Sequence, residues 1–161
     1  MTIKIDDKRS VPDALVREKE ISMNSYDYYA AGPFFNSEQI LSMQGMEKVL
    51  FGHHATVFRP RFASDIAVVG PNQCFLDDCA GIRASRCLIA NLIDDDPGTM
   101  FEIGYAIALG KQVYAYKEGC QPGDKVNLMI AESVKELFVS AGDLDEFLSR
   151  GQHARIQVKE Y

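Results

Sequence analysis

The sequence has four cysteines, Cys74, Cys79, Cys87 and Cys120, but no C-x-x-C pair. That argues against a zinc site, and the four read as reduced thiols in a cytoplasmic protein. No apolar run approaches a membrane span. The first residues are too polar and charged for a secretory signal. There is no G-x-G-x-x-G, which argues against a Rossmann fingerprint, and no G-K-[ST] to complete a phosphate loop. Positive charge is scarce: 17 Lys and Arg stand against 23 Asp and Glu, for a net charge of −6. Duplex binding needs clustered cations, so nucleic acid is not expected as a partner. Free nucleosides carry no phosphate and are not excluded. There is no internal repeat and no low-complexity segment.

What is present centres on one stretch, Cys87 to Lys117. An apolar run from Cys87 to Ile93 reads as a buried strand. Asp94, Asp95 and Asp96 follow, then Pro97, which is favoured at the first position of a helix. Asp96 stands where an N-cap would be. Met100, Phe101, Ile103, Ala106, Ile107 and Leu109 make the helix apolar enough to lie on a sheet. Gly110 ends it, and Gln112 to Tyr116 reads as a second strand. Strand–helix–strand units of this kind cross over in a parallel sheet. At 161 residues the chain suggests one domain.

Glu102 does not fit a purely structural helix. It lies near the carboxyl end of a strand, where open α/β sheets bind ligands. Asp96, Gly98 and Glu102 form D-x-G-x-x-x-E, and Gly98 removes a side chain where a ligand would approach. Three consecutive acids also suit a helix N-terminus without any metal, and no metal or cofactor is expected.

Residues 1–25 read as an N-terminal arm and residues 26–161 as the domain. Tyr26 to Ala31 is the first strand, followed by the turn Gly32-Pro33-Phe34-Phe35. Asn36 or Ser37 caps a helix ending near Phe51. Adjacent His53 and His54 diverge in a strand and do not suit a shared metal. Ala55 to Phe58 is a second strand, and Arg59 to Pro71 reads as a connection that either covers a ligand or is merely solvated. Asn72 to Arg86 reads as a helix. Asn127-Leu128-Met129 opens another, expected to run to about Leu137. Leu144 to Leu148 is helical, and Ile156 to Lys159 is a last strand.

Several of these pieces together resemble the nucleoside 2-deoxyribosyltransferases. They are Tyr28-Tyr29-Ala30-Ala31-Gly32-Pro33-Phe34, Asp78 with Gly81-Ile82, Asp96 through Ala106, Asn127-Leu128-Met129, and the final tyrosine. The resemblance implies a flavodoxin-like doubly wound parallel sheet. It implies Glu102 as nucleophile and Asp78 as the acid that protonates the departing base. Asp96 would accept hydrogen bonds from the sugar. Tyr28 and Tyr161 would border the site and orient the nucleophile. Gly32, Phe34 and Gly98 would line the site. Asn127 would reach a neighbouring subunit's sugar, with Met129 packed beside it, in a dimer or hexamer with shared sites. Deoxyribonucleosides and free nucleobases would be the substrates. The segment from Arg59 to Pro71 does not match the family's base-contacting loop.

The chemistry suits these residue types. Cleaving an N-glycosidic bond builds oxocarbenium character, which a carboxylate stabilises and then traps as a glycosyl-enzyme. Two alternatives keep the same residues: an N-glycoside hydrolase of deoxynucleosides or their monophosphates, and a non-enzymatic nucleoside-binding domain.

Overall fold

The computed structural model of the chain describes residues 25–161; of the expected N-terminal arm, all but Ser25 lies outside the described residues. Five strands form one parallel sheet in the order β2-β1-β3-β4-β6. They are β1 (Tyr26–Ala31), β2 (Val57–Phe58), β3 (Ser85–Asn91), β4 (Gln112–Tyr116) and β6 (Leu137–Phe138). The chain winds outward from β1 to β2, then returns to build the other half from β3. This is the flavodoxin-like doubly wound pattern, with its switch point between β1 and β3.

Helices cover both faces, as a parallel sheet requires. On one face α1 (Ser37–Gly52) and α6 (Ala141–Arg150) bury Met43, Met46, Leu50 and Leu144 against Ala30, Ile89 and Tyr116. On the other, α3 (Ile66–Ala84) and α4 (Pro97–Ala108) bury Ile82, Ile103 and Ala106 against Tyr29, Leu88 and Val113. The strand residues alternate between the two clusters. That is the period of two expected of a pleated strand.

Local chemistry sets most boundaries. Asn36 caps α1 by accepting from the Gln39 amide at 2.9 Å. Asp96 caps α4 by accepting from the Thr99 amide at 2.8 Å, and Pro97 starts that helix. Gly110, with φ +73°, closes α4 in the left-handed region that suits glycine.

Elsewhere the expected boundaries move. The segment after β2 is not an irregular connection: Pro60–Ala63 is a helical turn, α2. Arg61 anchors it by donating to the buried Glu47 at 2.7 Å, and Arg59 and Arg61 flank the Phe62 ring. α3 starts at Ile66, six residues before the expected Asn72, because Asp65 caps a first turn. Gly70, at φ +81°, then breaks the helix before Pro71. Ser85 and Arg86 belong to β3 rather than to the helix. The helix α5 (Leu128–Ser133) stops well short of Leu137, because Leu137–Phe138 is the edge strand β6. The last strand, β7 (Lys159–Glu160), pairs with β5 (Lys125–Val126) in a separate two-stranded ribbon.

Candidate active site

Glu102 sits in the second turn of α4 and turns toward β1. Its Oε1 accepts a 2.5 Å hydrogen bond from the hydroxyl of Tyr29. The tyrosine is fully buried and stacks on Phe58, with ring centroids 5.3 Å apart. A side chain at Gly81 would meet the Phe58 ring at 2.5 Å. The glycine of the Asp78…Gly81-Ile82 element therefore makes room for the ring that steadies Tyr29. Gly81→Ala is expected to push Phe58 into Tyr29 and lower turnover by about tenfold or more, as a small misplacement of a catalytic group does. Steady-state kinetics beside a far-ultraviolet spectrum check this.

Asp78, on α3, faces the same place. Burial and the neighbouring Asp77 push its carboxyl up to about 6. Burial pushes Glu102 up to about 8; the Tyr29 hydrogen bond opposes this, and the charges of Asp78 and Asp96 add to it. The two carboxyls interact and titrate as a pair, which holds one proton between about pH 6 and 8. Tyr29 is pushed far above the ordinary phenol range, first by burial and then by Glu102 and Asp78, so it remains a donor. It uses one oxygen of Glu102 and leaves Oε2 for chemistry.

Asp96 lies close enough for its charge to act on Glu102. Its Oδ2 is held by the amide and hydroxyl of Thr99, at 2.8 and 3.0 Å. Gly98 keeps that corner open: a side chain there would lie 3.1 Å from the Asp96 Oδ2. Gly98 and Glu102 are four residues apart, so they share one face of α4. Gly32 follows β1, and a side chain on it would strike the Met43 sulfur at 2.3 Å. Phe34 is partly exposed beside it and stacks on Phe35.

Two expected placements change. Tyr28 points to the opposite face of the sheet, toward Tyr114 at 6.4 Å, so the tyrosine on Glu102 is Tyr29 instead. Neighbouring strand residues face opposite sides, and one position of shift reverses the face. Tyr161 does not hydrogen-bond to Glu102 among the described residues. It lies with Asn127 and Met129 along a groove of about 640 Å³ beside Met100, Ile103 and Ile107. Around α4 these three positions lie roughly 100° to 160° from Glu102. Met129 and Tyr161 are 74% and 62% exposed there, which leaves them free to meet another surface.

The backbone of Tyr161 holds Asn127 from both sides. Its N–H donates to the Val126 carbonyl at 3.3 Å, and its carbonyl oxygen accepts from Leu128 at 2.9 Å. Deleting Tyr161 is therefore expected to lower turnover about tenfold, whereas Tyr161→Ala, which keeps both backbone bonds, should lose much less. Equal losses in the two variants would assign the effect to the ring instead.

The sequence model of the nucleoside 2-deoxyribosyltransferases matches residues 28–129. The chain belongs to that family. The 2-deoxyribosyltransferase of the psychrotolerant bacterium Bacillus psychrosaccharolyticus is 28% identical with a TM-score of 0.65, over 80% of this chain and 97% of its own. A conserved protein of Enterococcus faecalis is 19% identical with a TM-score of 0.51, over 83% of this chain and 90% of its own, and shares the fold. The 2-deoxyribosyltransferase of Leishmania mexicana is 27% identical with a TM-score of 0.48, over 59% of this chain and 66% of its own. No curated protein gives a match.

Beyond Tyr29, the sequence reading of this family member missed Gln39. Its side chain is buried, donates to Asp94 at 2.8 Å and accepts from the Phe35 amide at 2.8 Å. It ties the turn after β1 to the turn after β3, where Asp94 and Asp95 take positive φ values of 59° and 47°. Two successive strained residues persist only where their surroundings fix them. The one available signal was a polar residue at a helix position facing the sheet.

Proposed function

We propose that the protein transfers 2-deoxyribose between purine or pyrimidine bases through a covalent glycosyl ester on Glu102. The observation that carries this reading is the half-buried Glu102, held at one oxygen by Tyr29 and paired with Asp78. In the first step the free oxygen of Glu102 attacks C1′ as the C1′–N bond breaks. The departing base takes the proton of Asp78. In the second step a new base attacks C1′ and gives its proton to Asp78, and the ester bond to Glu102 breaks. Two displacements retain the configuration at C1′. Asp96 and the open corner at Gly98 suit the sugar hydroxyls, while Gly32 and Phe34 shape an apolar lining for the substrate. No metal or other cofactor enters these steps.

An unphosphorylated nucleoside is the favoured substrate. Among the described residues, the cavity beside the turns after β1 and β3 is lined by Glu38, Asp94, Asp95 and Glu118 and by a single cation, Lys117. A 5′-phosphate would meet repulsion there. Incubation with deoxyinosine and free adenine should give deoxyadenosine and hypoxanthine, separated by chromatography. Deoxyribose and hypoxanthine alone would mean hydrolysis, and no reaction would leave a binding domain.

The site is completed by a second subunit. Asn127, Met129 and Tyr161 stand together on the side of α4 turned away from their own Glu102, so they serve a neighbour's site in a dimer or hexamer. Inactive Glu102→Ala and inactive Asn127→Ala subunits, mixed under conditions that exchange subunits, should recover up to about a quarter of wild-type activity by random pairing. If mixing restores nothing, each site is self-contained.

A further inference from the structure

We infer that Asp77 is a positioning residue whose fixed negative charge strengthens proton binding at Asp78, the acid for the leaving base. This inference rests on the proposed transfer mechanism, yet its test does not depend on activity.

Asp77 is immobilised as an anion by its contacts. Its Oδ2 accepts a short hydrogen bond from the Ser64 hydroxyl, and its Oδ1 accepts from the Gln73 side-chain amide at 2.7 Å. Both oxygens are thus acceptors, and these bonds hold its carboxyl below the ordinary range. A group fixed in that way is a poor proton donor. Ser64 stands between α2 and α3, and α2 is itself anchored by the buried Glu47–Arg61 pair. The whole segment from Arg59 to Ser64 therefore ends on Asp77.

Asp78 is the contrasting case. Among the described residues its carboxyl has no hydrogen-bond partner. The titratable groups that face it are Asp77, Cys74 and Cys79 on its own helix, Tyr29 from β1 and Glu102 from α4. None of them is a cation. Among the described residues, the charge that raises the Asp78 carboxyl is the fixed one on Asp77. In the one-proton state of the Asp78–Glu102 pair, the working arrangement has the proton on Asp78 and the charge on Glu102. Because Glu102 holds a proton more tightly than Asp78, that arrangement is the minor one. Whatever strengthens proton binding at Asp78 enlarges it. Asp77 is the group in the right position to do so.

The test is the carboxyl carbon resonance of Asp78, followed through a pH titration by ¹³C NMR in the Glu102→Gln protein, where the coupled partner is gone. Asp78→Asn assigns the signal. Adding Asp77→Asn should lower the midpoint by about half a unit or more, whereas Ser64→Ala, which keeps the charge, should move it less. In the enzyme with Glu102 intact, Asp77→Asn should lower the acid limb of kcat/KM by a similar amount and reduce its plateau. If Asp77→Asn does not fold, Asp77→Ser makes the same test. An unchanged Asp78 midpoint in the neutral variant overturns the inference. Absence of transfer with a shifted midpoint would instead refute only the mechanism it serves.

Discussion

Glu102→Gln is expected to abolish base exchange and, in the same protein, to raise stability at alkaline pH. Removing an essential nucleophile costs about 10⁴-fold or more in kcat. Glutamine keeps the shape and can still accept the Tyr29 hydrogen bond, so the fold has no reason to fail. The stability effect follows from linkage. In the folded protein Glu102 binds its proton up to about pH 8, against an ordinary value of 4.5. Its pKa is raised by folding, so its contribution is fully present below about pH 4.5 and is lost as pH rises through 8. Glutamine carries no such dependence. Its advantage should therefore grow between about pH 5 and 8 and reach about 2 kcal/mol, a figure reduced for the partial exposure of the site. Denaturant titrations at pH 5 and pH 8, run beside turnover, measure both effects. Normal exchange by Glu102→Gln would contradict the assignment.

Asp78→Asn has the next largest expected effect, a loss of about 10²–10⁴-fold in kcat, the usual worth of a general acid. The loss should shrink for substrates whose base leaves without needing a proton. The pH profile separates this role from simple damage. In the unaltered enzyme kcat/KM should be bell-shaped, falling below about pH 6 as the pair gains a second proton and above about pH 8 as it loses the last one. In Asp78→Asn the alkaline limb should vanish, leaving one rise as Glu102 ionises and then a plateau. A bell that survives in the variant would mean that another group supplies the proton.

Much of this architecture was legible in the residues. The unit from Cys87 to Lys117 carries its own punctuation, with a cap at Asp96, a proline at Pro97 and a left-handed glycine at Gly110. Such signals act within a few residues and need no tertiary context. Glu102, the candidate nucleophile, stood out for the same reason, as a carboxylate four positions from Gly98 on an apolar helix. What stayed hidden depends on distant partners. The short edge strand at Leu137–Phe138 has too few residues to show alternation, and it exists because β4 pairs with it. The choice between Tyr28 and Tyr29 is a parity that only the packed sheet decides. The role of Gly81 depends on Phe58, more than twenty positions earlier. The seat of Tyr161 depends on the ribbon with β5, which two-residue strands do not announce.

The central claim is that the sugar spends part of each cycle bonded to Glu102. Its most direct measurement is rapid quenching of the enzyme with a deoxynucleoside and no acceptor base, followed by mass spectrometry of the intact protein and of its peptides. The expected result is a mass increase of one 2-deoxyribosyl group on the peptide that carries Glu102. It should disappear when adenine is added and be absent from Glu102→Gln. A protein that turns over substrate with no adduct, or with the adduct on another residue, would contradict the account.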